Sequence, residues 1–407
     1  MLPVISQWDI AAVLGSDTIT SILPVCMLPP AKTNGDCQVC NGNTHSGMPS
    51  TGDPITISTG NLFEKKNDYT TAGQNPLYFT RYYNSMGSAN GTYAGTLGNW
   101  RTPFDRYLHI LPASSPTTVI AERADGQGLT FTLSGSTWVP DSDVDYTLTS
   151  SGSTWTLTDH NDTVEVYTAS SGKGTLNSIT TRNGYEQTMT YSSGLLSTVT
   201  DSYSRSLGFT YTSGLLTKVT TPDSTTTGIT YAYNSNGALS TVTYPTTTAT
   251  TLTYLYENSS LPFSLTGITD ENGNRYATWG YDTEGRATSN YMGGSGLSAN
   301  STTISYSTST PTVTNAFGVV DTYTFSTLQG VPKVTGISRA ATTTPSPGTA
   351  AASRSFTYDT NGYPATATDW NGNETTWTNN SHGQPTTIVE ASGSSVARTT
   401  TIAYDTT

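Results

Sequence analysis

Residues 191–200 read Tyr-Ser-Ser-Gly-Leu-Leu-Ser-Thr-Val-Thr, and variants of this phrase return twice further along the chain. Each copy begins with a tyrosine and turns at a glycine: Tyr191 and Gly194, Tyr211 and Gly214, Tyr233 and Gly237. Successive tyrosines lie 20 and 22 positions apart. Self-similarity at this spacing is typical of a repeat architecture, in which one small unit is stacked many times.

Each unit predicts a β-hairpin. Threonine and tyrosine alternate before the turn, as in a half-buried strand, and the glycine supplies the positive φ that a tight turn needs. The chain then returns through a second strand, for example residues 215–220. On the returning strand, Leu195 and Val199 fall on one face and Leu196 on the other, which predicts a sheet with both faces partly covered, or a curved sheet that encloses something. Because a lone hairpin cannot bury its face, neighbours must stack edge to edge, and a long strip of hairpins coils.

The composition supports an all-β fold. Only 11% of the 407 residues are charged, against roughly 25% in typical soluble proteins, and Thr, Ser, Gly and Tyr take their place. The net charge of −12 argues against a nucleic-acid partner, which needs clustered Lys and Arg. No apolar run reaches the roughly 18 residues of a membrane span. The N-terminus lacks the basic start of a secretory signal, so the route of any export is open.

The first fifty residues predict an irregular N-terminal segment that packs elsewhere as a plug or cap. It contains Cys26, Cys37 and Cys40, with His45 close behind. These four side chains could form a Cys₃His zinc set, since Cys37 and Cys40 have the spacing of half a zinc knuckle. A disulfide or free thiols fit the same residues, and no second Cys-x-x-Cys pair is present.

Residues 51–110 contain three ordered motifs, Asp-Pro…Thr-Gly-Asn, Phe-Thr-Arg-Tyr-Tyr-Asn-Ser and Gly-Asn-Trp-Arg…Phe-Asp-Arg. Downstream, residues 281–286 read Tyr-Asp-Thr-Glu-Gly-Arg, with looser copies at Tyr358-Asp359 and Tyr404-Asp405. In this order the motifs resemble the Rhs/YD-repeat family. The residues that carry the resemblance are Asp53, Pro54, Gly60, Asn61, Arg81, Tyr82, Tyr83, Trp100, Arg101, Phe104, Asp105 and Arg106, followed by the repeat residues Tyr281, Asp282, Gly285 and Arg286.

The resemblance implies a fold of repeated β-hairpins in a spiralling, curved sheet that builds part of a hollow shell, or cocoon. It divides the chain into the irregular segment 1–50, a β-rich leading domain at 51–125 and YD-type hairpin repeats at 126–407. The repeats are expected to be incomplete, because Tyr404-Asp405 is not followed by the glycine that closes a turn.

Two groups of polar residues have competing interpretations. Arg81, Asp105 and Arg106 are predicted to pair as buried ions between strands, a structural rather than a catalytic role. Residues 270–274 and 369–373 share the pattern Asp-x-Asn-Gly-Asn. Their oxygens could begin a calcium loop, but the loop's bidentate Glu is missing and Asn-Gly favours a hairpin turn.

The sequence predicts no enzyme and no cofactor. The histidines, His45, His109, His160 and His382, lie in no recognisable catalytic motif. The resemblance implies that the chain functions as a structural shell, secreted or at the bacterial surface. It would enclose and help deliver a C-terminal toxin in bacterial competition, with the rest of the shell, the toxin and secretion or cell-surface components as partners.

Two alternatives remain. The first is an extracellular adhesion or wall-associated module, in which Trp279, Trp370 and Trp377 stack on sugars rather than pack between repeats. The second is a self-assembling surface filament.

Overall fold

The computed structural model describes residues 31–35, 48–88, 96–246, 248–293, 301–306, 309–343, 348 and 350–405. These residues form strands almost throughout and one short helix, α1 (Ser85–Ser88). The predicted all-β fold of hairpins in a large curved sheet is confirmed.

The first strands form two small sheets. One pairs β1 with β2, and the other has the order β3-β4-β5. Their bounds are β1 (Ser50–Thr51), β2 (Ile55–Thr56), β3 (Phe63–Thr70), β4 (Tyr78–Asn84) and β5 (Trp100–Arg101).

The next eight strands close into a ring, because each pairs antiparallel with the following one and the eighth pairs with the first. They are β6 (Tyr107–Leu111), β7 (Thr118–Glu122), β8 (Gly128–Ser134), β9 (Thr137–Pro140), β10 (Tyr146–Ser151), β11 (Thr154–Asp159), β12 (Val164–Ser170) and β13 (Lys173–Thr180). The expected domain boundary at residue 125 falls between the paired strands β7 and β8.

The remaining strands continue from β13 as one antiparallel strip. They are β14 (Glu186–Ser192), β15 (Leu195–Asp201), β16 (Ser206–Thr212), β17 (Leu215–Thr221), β18 (Ser224–Tyr233), β19 (Leu239–Tyr244), β20 (Thr250–Leu255), β21 (Gly267–Thr269), β22 (Arg275–Tyr281), β23 (Ala287–Met292), β24 (Ser301–Ser305), β25 (Thr312–Asn315), β26 (Val320–Leu328), β27 (Val331–Arg339), β28 (Ala352–Tyr358), β29 (Pro364–Thr368), β30 (Glu374–Asn379), β31 (Pro385–Glu390) and β32 (Arg398–Thr401).

Strand β13 is where the strip leaves the ring. On one edge it pairs with β12 along its length. On the other edge, Lys173–Thr175 pair with β6, whereas Ser178–Thr180 pair with β14. One strand therefore serves two neighbours on the same edge, and the strip starts as a branch from a closed ring.

Two kinds of turn join the hairpins. In β14–β15 the turn has two residues, Ser193 and Gly194, with φ of 51° and 79°. Positive φ at both residues is the twist that suits a tight hairpin. The YD-type turn is longer. There the Asp282 carboxylate accepts hydrogen bonds from the amides of Glu284 and Arg286, at 3.0 and 2.9 Å.

A β-bulge corrects the face assignment made from the sequence. In β14–β15, Tyr191 pairs with Leu196, but Thr190 pairs with Thr198, so Ser197 is an extra residue on the returning strand. The bulge shifts the alternation by one position and places Leu196, not Leu195, on the face of Val199. The same shift recurs in β16–β17, where Leu216 and Val219 are both fully buried.

The repeat tyrosines join each hairpin to the one before it. The Tyr211 hydroxyl donates to the Leu196 carbonyl oxygen at 2.9 Å, and the Tyr233 hydroxyl donates to that of Leu216 at 2.5 Å. The same bond recurs from Tyr191 to Leu176, from Tyr281 to Leu265, from Tyr358 to Val334 and from Tyr404 to Pro385. The tyrosine that marks the repeat is therefore an inter-hairpin donor.

Replacing Tyr211 with Phe tests this bond. Y211F keeps the ring but leaves the Leu196 carbonyl without its donor, so we expect a loss of about 1–2 kcal/mol in the free energy of unfolding, measured in urea. The control is Y203F, since Tyr203 is 59% exposed and its loss should change stability by less than about 0.5 kcal/mol. Equal effects of the two variants would contradict the inter-hairpin role.

Candidate functional site

The site suggested by the fold is the sheet face on which residues 48–88 and 96–105, called here the docked segment, lie. This face is traced by cross-strand neighbours, since side chains directly opposite each other point to the same side. It includes the buried residues Tyr231, Val242, Ile268, Ala277 and Trp279. The docked segment covers the face across β16–β23.

The docked segment binds backbone amides that the hairpins leave open. Leu216 donates its amide to the Thr96 carbonyl at 2.6 Å, and Ala287 donates to that of Gly60 at 2.8 Å. Between them, the amide of Leu239 donates to Asn99 Oδ1 at 3.1 Å. A buried amide without an acceptor is unfavourable, so these bonds fix the segment to successive hairpins.

Two glycines of the leading motifs allow this close approach. A Cβ on Gly60 would lie 2.9 Å from the Cα of Arg286, and a Cβ on Gly98 would lie 2.5 Å from the Gly237 carbonyl oxygen. Both glycines have positive φ, of 75° and 66°. The structure thus places the Thr-Gly-Asn motif directly against the Tyr-Asp-x-x-Gly-Arg motif, although more than 200 residues separate them.

Arg81 lies at the centre of the docked face and is fully buried. Its guanidinium binds Asp68 through Nε and Nη2, at 2.5 and 2.9 Å, and stacks on Trp100 and Tyr254. Burial alone would lower the pKa of Arg81, but the Asp68 carboxylate raises it well above its ordinary value. The hydroxyls of Tyr231 and Tyr244 also donate to Asp68.

The predicted pairing among Arg81, Asp105 and Arg106 is therefore wrong in its partners. Asp105 accepts from the Thr102 amide at 2.6 Å, which closes a local turn. Arg106 binds Glu165 of β12 instead. The three residues are buried structural groups, but each acts with a different partner.

Glu165 anchors the second ion cluster, inside the ring. It binds Arg106 and, through two bonds of 2.7 and 2.6 Å, Arg123. The Tyr167 hydroxyl donates to it at 2.5 Å. Burial would raise the pKa of Glu165, but the two guanidinium groups hold it below its ordinary value. Nearby, Arg101 and His109 both contact Glu122.

The buried carboxylate of Glu64, in β3, has a partner on only one of its two oxygens. It is 3% exposed, and its Oε1 has no hydrogen-bond partner. Its Oε2 lies 3.0 Å from Lys66 Nζ. Burial raises the pKa of Glu64 to about 7, even though Lys66 opposes this change.

A polar seam connects the far part of the strip with the ring. Lys32 binds Asp141 at 3.0 Å, contacts Asp143, and donates to the Gln329 carbonyl at 2.9 Å. The Tyr363 hydroxyl donates to the Ser142 carbonyl at 3.2 Å, and His382 lies 2.8 Å from Asp145. The strip therefore returns over the β9–β10 connection after about one lap.

The other motif residues are structural contacts. The Asp53 carbonyl accepts from Trp279 Nε1, and that of Pro54 accepts from the Phe63 amide. Asn61 bridges Asn84 and the Met86 amide. Tyr82 stacks on Phe63, Tyr83 donates to the Phe263 carbonyl and accepts from the Leu265 amide, and Phe104 packs on Phe209.

The tryptophans proposed to stack on sugars have protein partners. Trp279 is 2% exposed and belongs to the core. Trp370 is half-buried, with the guanidinium of Arg339 4.4 Å from its ring centroid. Packing rather than an open sugar-stacking surface is therefore observed at Trp279 and Trp370.

The structure confirms that the two Asp-x-Asn-Gly-Asn motifs form hairpin turns. Asp270 Oδ1 accepts the amides of Asn272 and Asn274, and Asp369 Oδ1 accepts those of Asn371 and Asn373. Within the described residues, no cluster of three or more His, Cys, Asp or Glu could hold a metal. Cys26, Cys37, Cys40 and His45 lie outside the described residues.

Two family models match parts of the chain. One described as a domain of unknown function, DUF6531, matches residues 52–131, and one described as Teneurin YD-shell matches residues 143–336. The chain is an Rhs/YD-repeat protein. In this YD-repeat protein the first model covers most of the docked segment and the start of the ring, and the second covers the hairpins on which the segment docks.

Comparison with solved structures adds no finer detail. A crystal structure of TcdB2–TccC3–TEV is 11% identical with a TM-score of 0.32, over 70% of this chain and 19% of that chain. The Tc holotoxin pore of Photorhabdus luminescens is 10% identical with a TM-score of 0.31, over 84% and 19%. The chain spans about a fifth of the length of these structures, and at such TM-scores the likeness carries no argument. No curated protein matches the chain.

Sequence reasoning missed Asp68, Glu64 and Glu165. Asp68 and Glu64 lie on β3, whose residues Glu64-Lys-Lys-Asn-Asp68 read as a solvated edge. The sequence feature that could have revealed them is the aromatic strand β4 that follows, since a carboxylate packed against aromatic side chains needs a buried partner. For the described residues, no helix has the length and apolarity needed to cross a membrane.

Replacing Asp68 with Asn tests the central ion pair. D68N leaves Arg81 charged and buried without its counter-ion, so we expect a loss of about 3–5 kcal/mol in the free energy of unfolding. The control E257Q breaks the ion pair between Glu257 and Arg275. Because the Glu257 side chain is 54% exposed, this variant should lose at most about 1 kcal/mol in the free energy of unfolding. The double variant D68L/R81M should recover most of the loss. A cost for D68N no larger than that of E257Q would contradict the model of a buried, essential pair.

The pKa of Glu64 predicts a specific pH dependence. Because it is raised from 4.5 to about 7 in the folded chain, the folded state holds the proton more tightly than the unfolded state. The associated stability is complete below pH 4.5, falls as the pH rises and is absent above pH 7.

Relative to the unchanged chain, the free energy of unfolding of E64Q should therefore rise by up to about 3 kcal/mol between pH 5 and pH 8. Chemical unfolding at a series of pH values measures this difference. The exposed variant E271Q should show no such trend, and a flat difference for E64Q would refute the raised pKa.

Proposed function

We propose that this chain forms the opening part of a hollow shell that encloses a client polypeptide and helps deliver it. The structural shell role itself follows from the YD-shell match. The resemblance suggests that the client is a C-terminal toxin, used in competition between bacteria. The chain would then work with the rest of its shell, and with secretion or cell-surface components.

The observation that supports enclosure is the continuity of one sheet face. Cross-strand pairs carry this face from Trp279 to Asn290 and on to Thr302, which pairs with Asn315 on its other side. Val313, two positions before Asn315 and on the same face of β25, then pairs with Asp321. The docked segment covers only its first part. Beyond β25 the side chains on this face are mostly half-buried, so the described residues leave this part of the face, called here the wall, partly uncovered.

The wall is mixed in chemistry. The hydroxyl pairs of the strip, such as Ser355–Thr368, lie on the opposite, exposed face, one position out of phase with Phe356. The wall itself carries Arg339 and Phe356, and Val313 borders it. It therefore offers both apolar area and charge to a client polypeptide.

We also propose that the chain is not itself an enzyme. Its most buried charged groups, Arg81 with Asp68 and Glu165 with Arg106 and Arg123, are used in mutual pairs that join elements of the fold. Any catalytic activity would then belong to the client. A site of action outside the bacterial cell, in secreted form or at the surface, is part of the same proposal.

Protease protection tests enclosure in the native polypeptide that carries this chain. A trypsin-sensitive tag placed in the client should be cut at least tenfold more slowly in the intact protein than in the client expressed alone. In the D68N background, where the docked segment is loosened, protection should fall, while E257Q should retain it. Equal cleavage of the enclosed and the free client would refute enclosure and favour an adhesion or filament role.

A further inference from the structure

The uncovered part of the wall contains a guanidinium–aromatic cluster formed by Arg339, Arg354, Phe356 and Trp370. The guanidinium of Arg339 lies 4.4 Å from the centroid of Trp370. That of Arg354 lies 5.1 Å from the Phe356 ring and 5.7 Å from Trp370. Two cations therefore share one indole on the face that follows the docked region.

Only one carboxylate serves the two cations. Asp321 binds Arg339 through two bonds of 2.8 Å each. Arg354 forms no ion pair with any described residue, and its Nε is buried without a hydrogen-bond partner. A buried donor without an acceptor is costly. Among the described residues, the cluster therefore holds two guanidinium groups and one paired carboxylate.

The docked region contains a comparable cluster that has its own carboxylate, although Arg81 Nη1 is also buried without a hydrogen-bond partner. There Arg81 lies 4.8 Å from the Trp100 centroid and 5.1 Å from that of Tyr254, and it holds Asp68 through Nε and Nη2. Arg354 has the same kind of stacking partners but not the carboxylate. Stacking covers the faces of a guanidinium, so a two-pronged acceptor binds at its edge. For Arg354 this is the Nη1–Nη2 edge, since Nε is buried.

We propose that Arg354 and its aromatic neighbours bind a carboxylate of an acidic, extended polypeptide segment lying along β26–β29. The face is continuous with the one that the docked segment occupies, where the Gly60 and Thr96 carbonyls accept amides of the strip. An excess of guanidinium over carboxylate favours an acidic partner. The proposal rests on the proposed function in one respect, namely that an enclosed client would supply such a segment.

A binding assay on the whole chain tests the site directly. The probe is an eight-residue peptide of alternating Thr and Glu, and the comparison peptide has Gln in place of each Glu. We expect calorimetry to detect binding of the Glu peptide, with affinity at least tenfold above that of the Gln peptide and decreasing with salt.

Variants then assign the binding to Arg354. R354Q should weaken binding of the Glu peptide at least tenfold, and R354K should weaken it less, since it keeps the charge but loses the fork. The control R398Q removes an exposed arginine of β32 that pairs with Glu390, and it should leave binding unchanged. Thermal unfolding of each variant verifies that the fold persists.

Several results would overturn the site. These are absence of binding, equal affinity for the two peptides, or an R354Q variant that is folded and still binds normally. The outcome is separable from the protease test, since a shell can protect its client without this contact. Conversely, peptide binding that depends on Arg354 stands even if no client is enclosed.

Discussion

The tyrosine hydroxyl that reaches back to the preceding hairpin is the interaction on which the strip depends. Near its turn, a hairpin forms backbone hydrogen bonds only between its own two strands. The N–H and C=O groups that point away from the partner strand need other hydrogen-bond partners. At Leu216, Tyr233 binds the carbonyl and Thr96 binds the amide. Further along, the residues opposite Tyr358 and Asn379 are Pro364 and Pro385, which have no amide to satisfy. The tyrosine hydroxyl satisfies the outward carbonyl, the docked segment satisfies the outward amide, and proline removes that amide.

Buried charge holds the docked segment and the ring in place, whereas the strip itself uses few charges. Pairs such as Arg81 with Asp68 are costly to desolvate and therefore tolerate no loss of a partner. They also join residues from distant parts of the chain, since Tyr254 and Tyr244 both reach this cluster. Because a misplaced strand would leave one of these ions unpaired, the clusters favour a single register between segment and strip.

The hairpins and their turns could be predicted from the sequence, because the pairing of Tyr191 with Leu196 and the turn bonds of Asp282 join residues at most about five positions apart. The bulge at Ser197 could not, since hydrophobic spacing alone does not reveal an extra residue on one strand. The partners of Arg81, Arg106 and Lys32 were also out of reach. They depend on how the strip curves, which brings together residues that local patterns do not connect.

The double pairing of β13 determines how the strip advances. Its contact with β6 is centred on Gly174 and its contact with β14 on Ile179, a shift of about 17 Å along the strand at roughly 3.3 Å per residue. The strip therefore starts displaced along β13 from the edge that closes the ring. In a shell, the same offset would act as the pitch of a ramp, so that hairpins could be added without changing any existing contact.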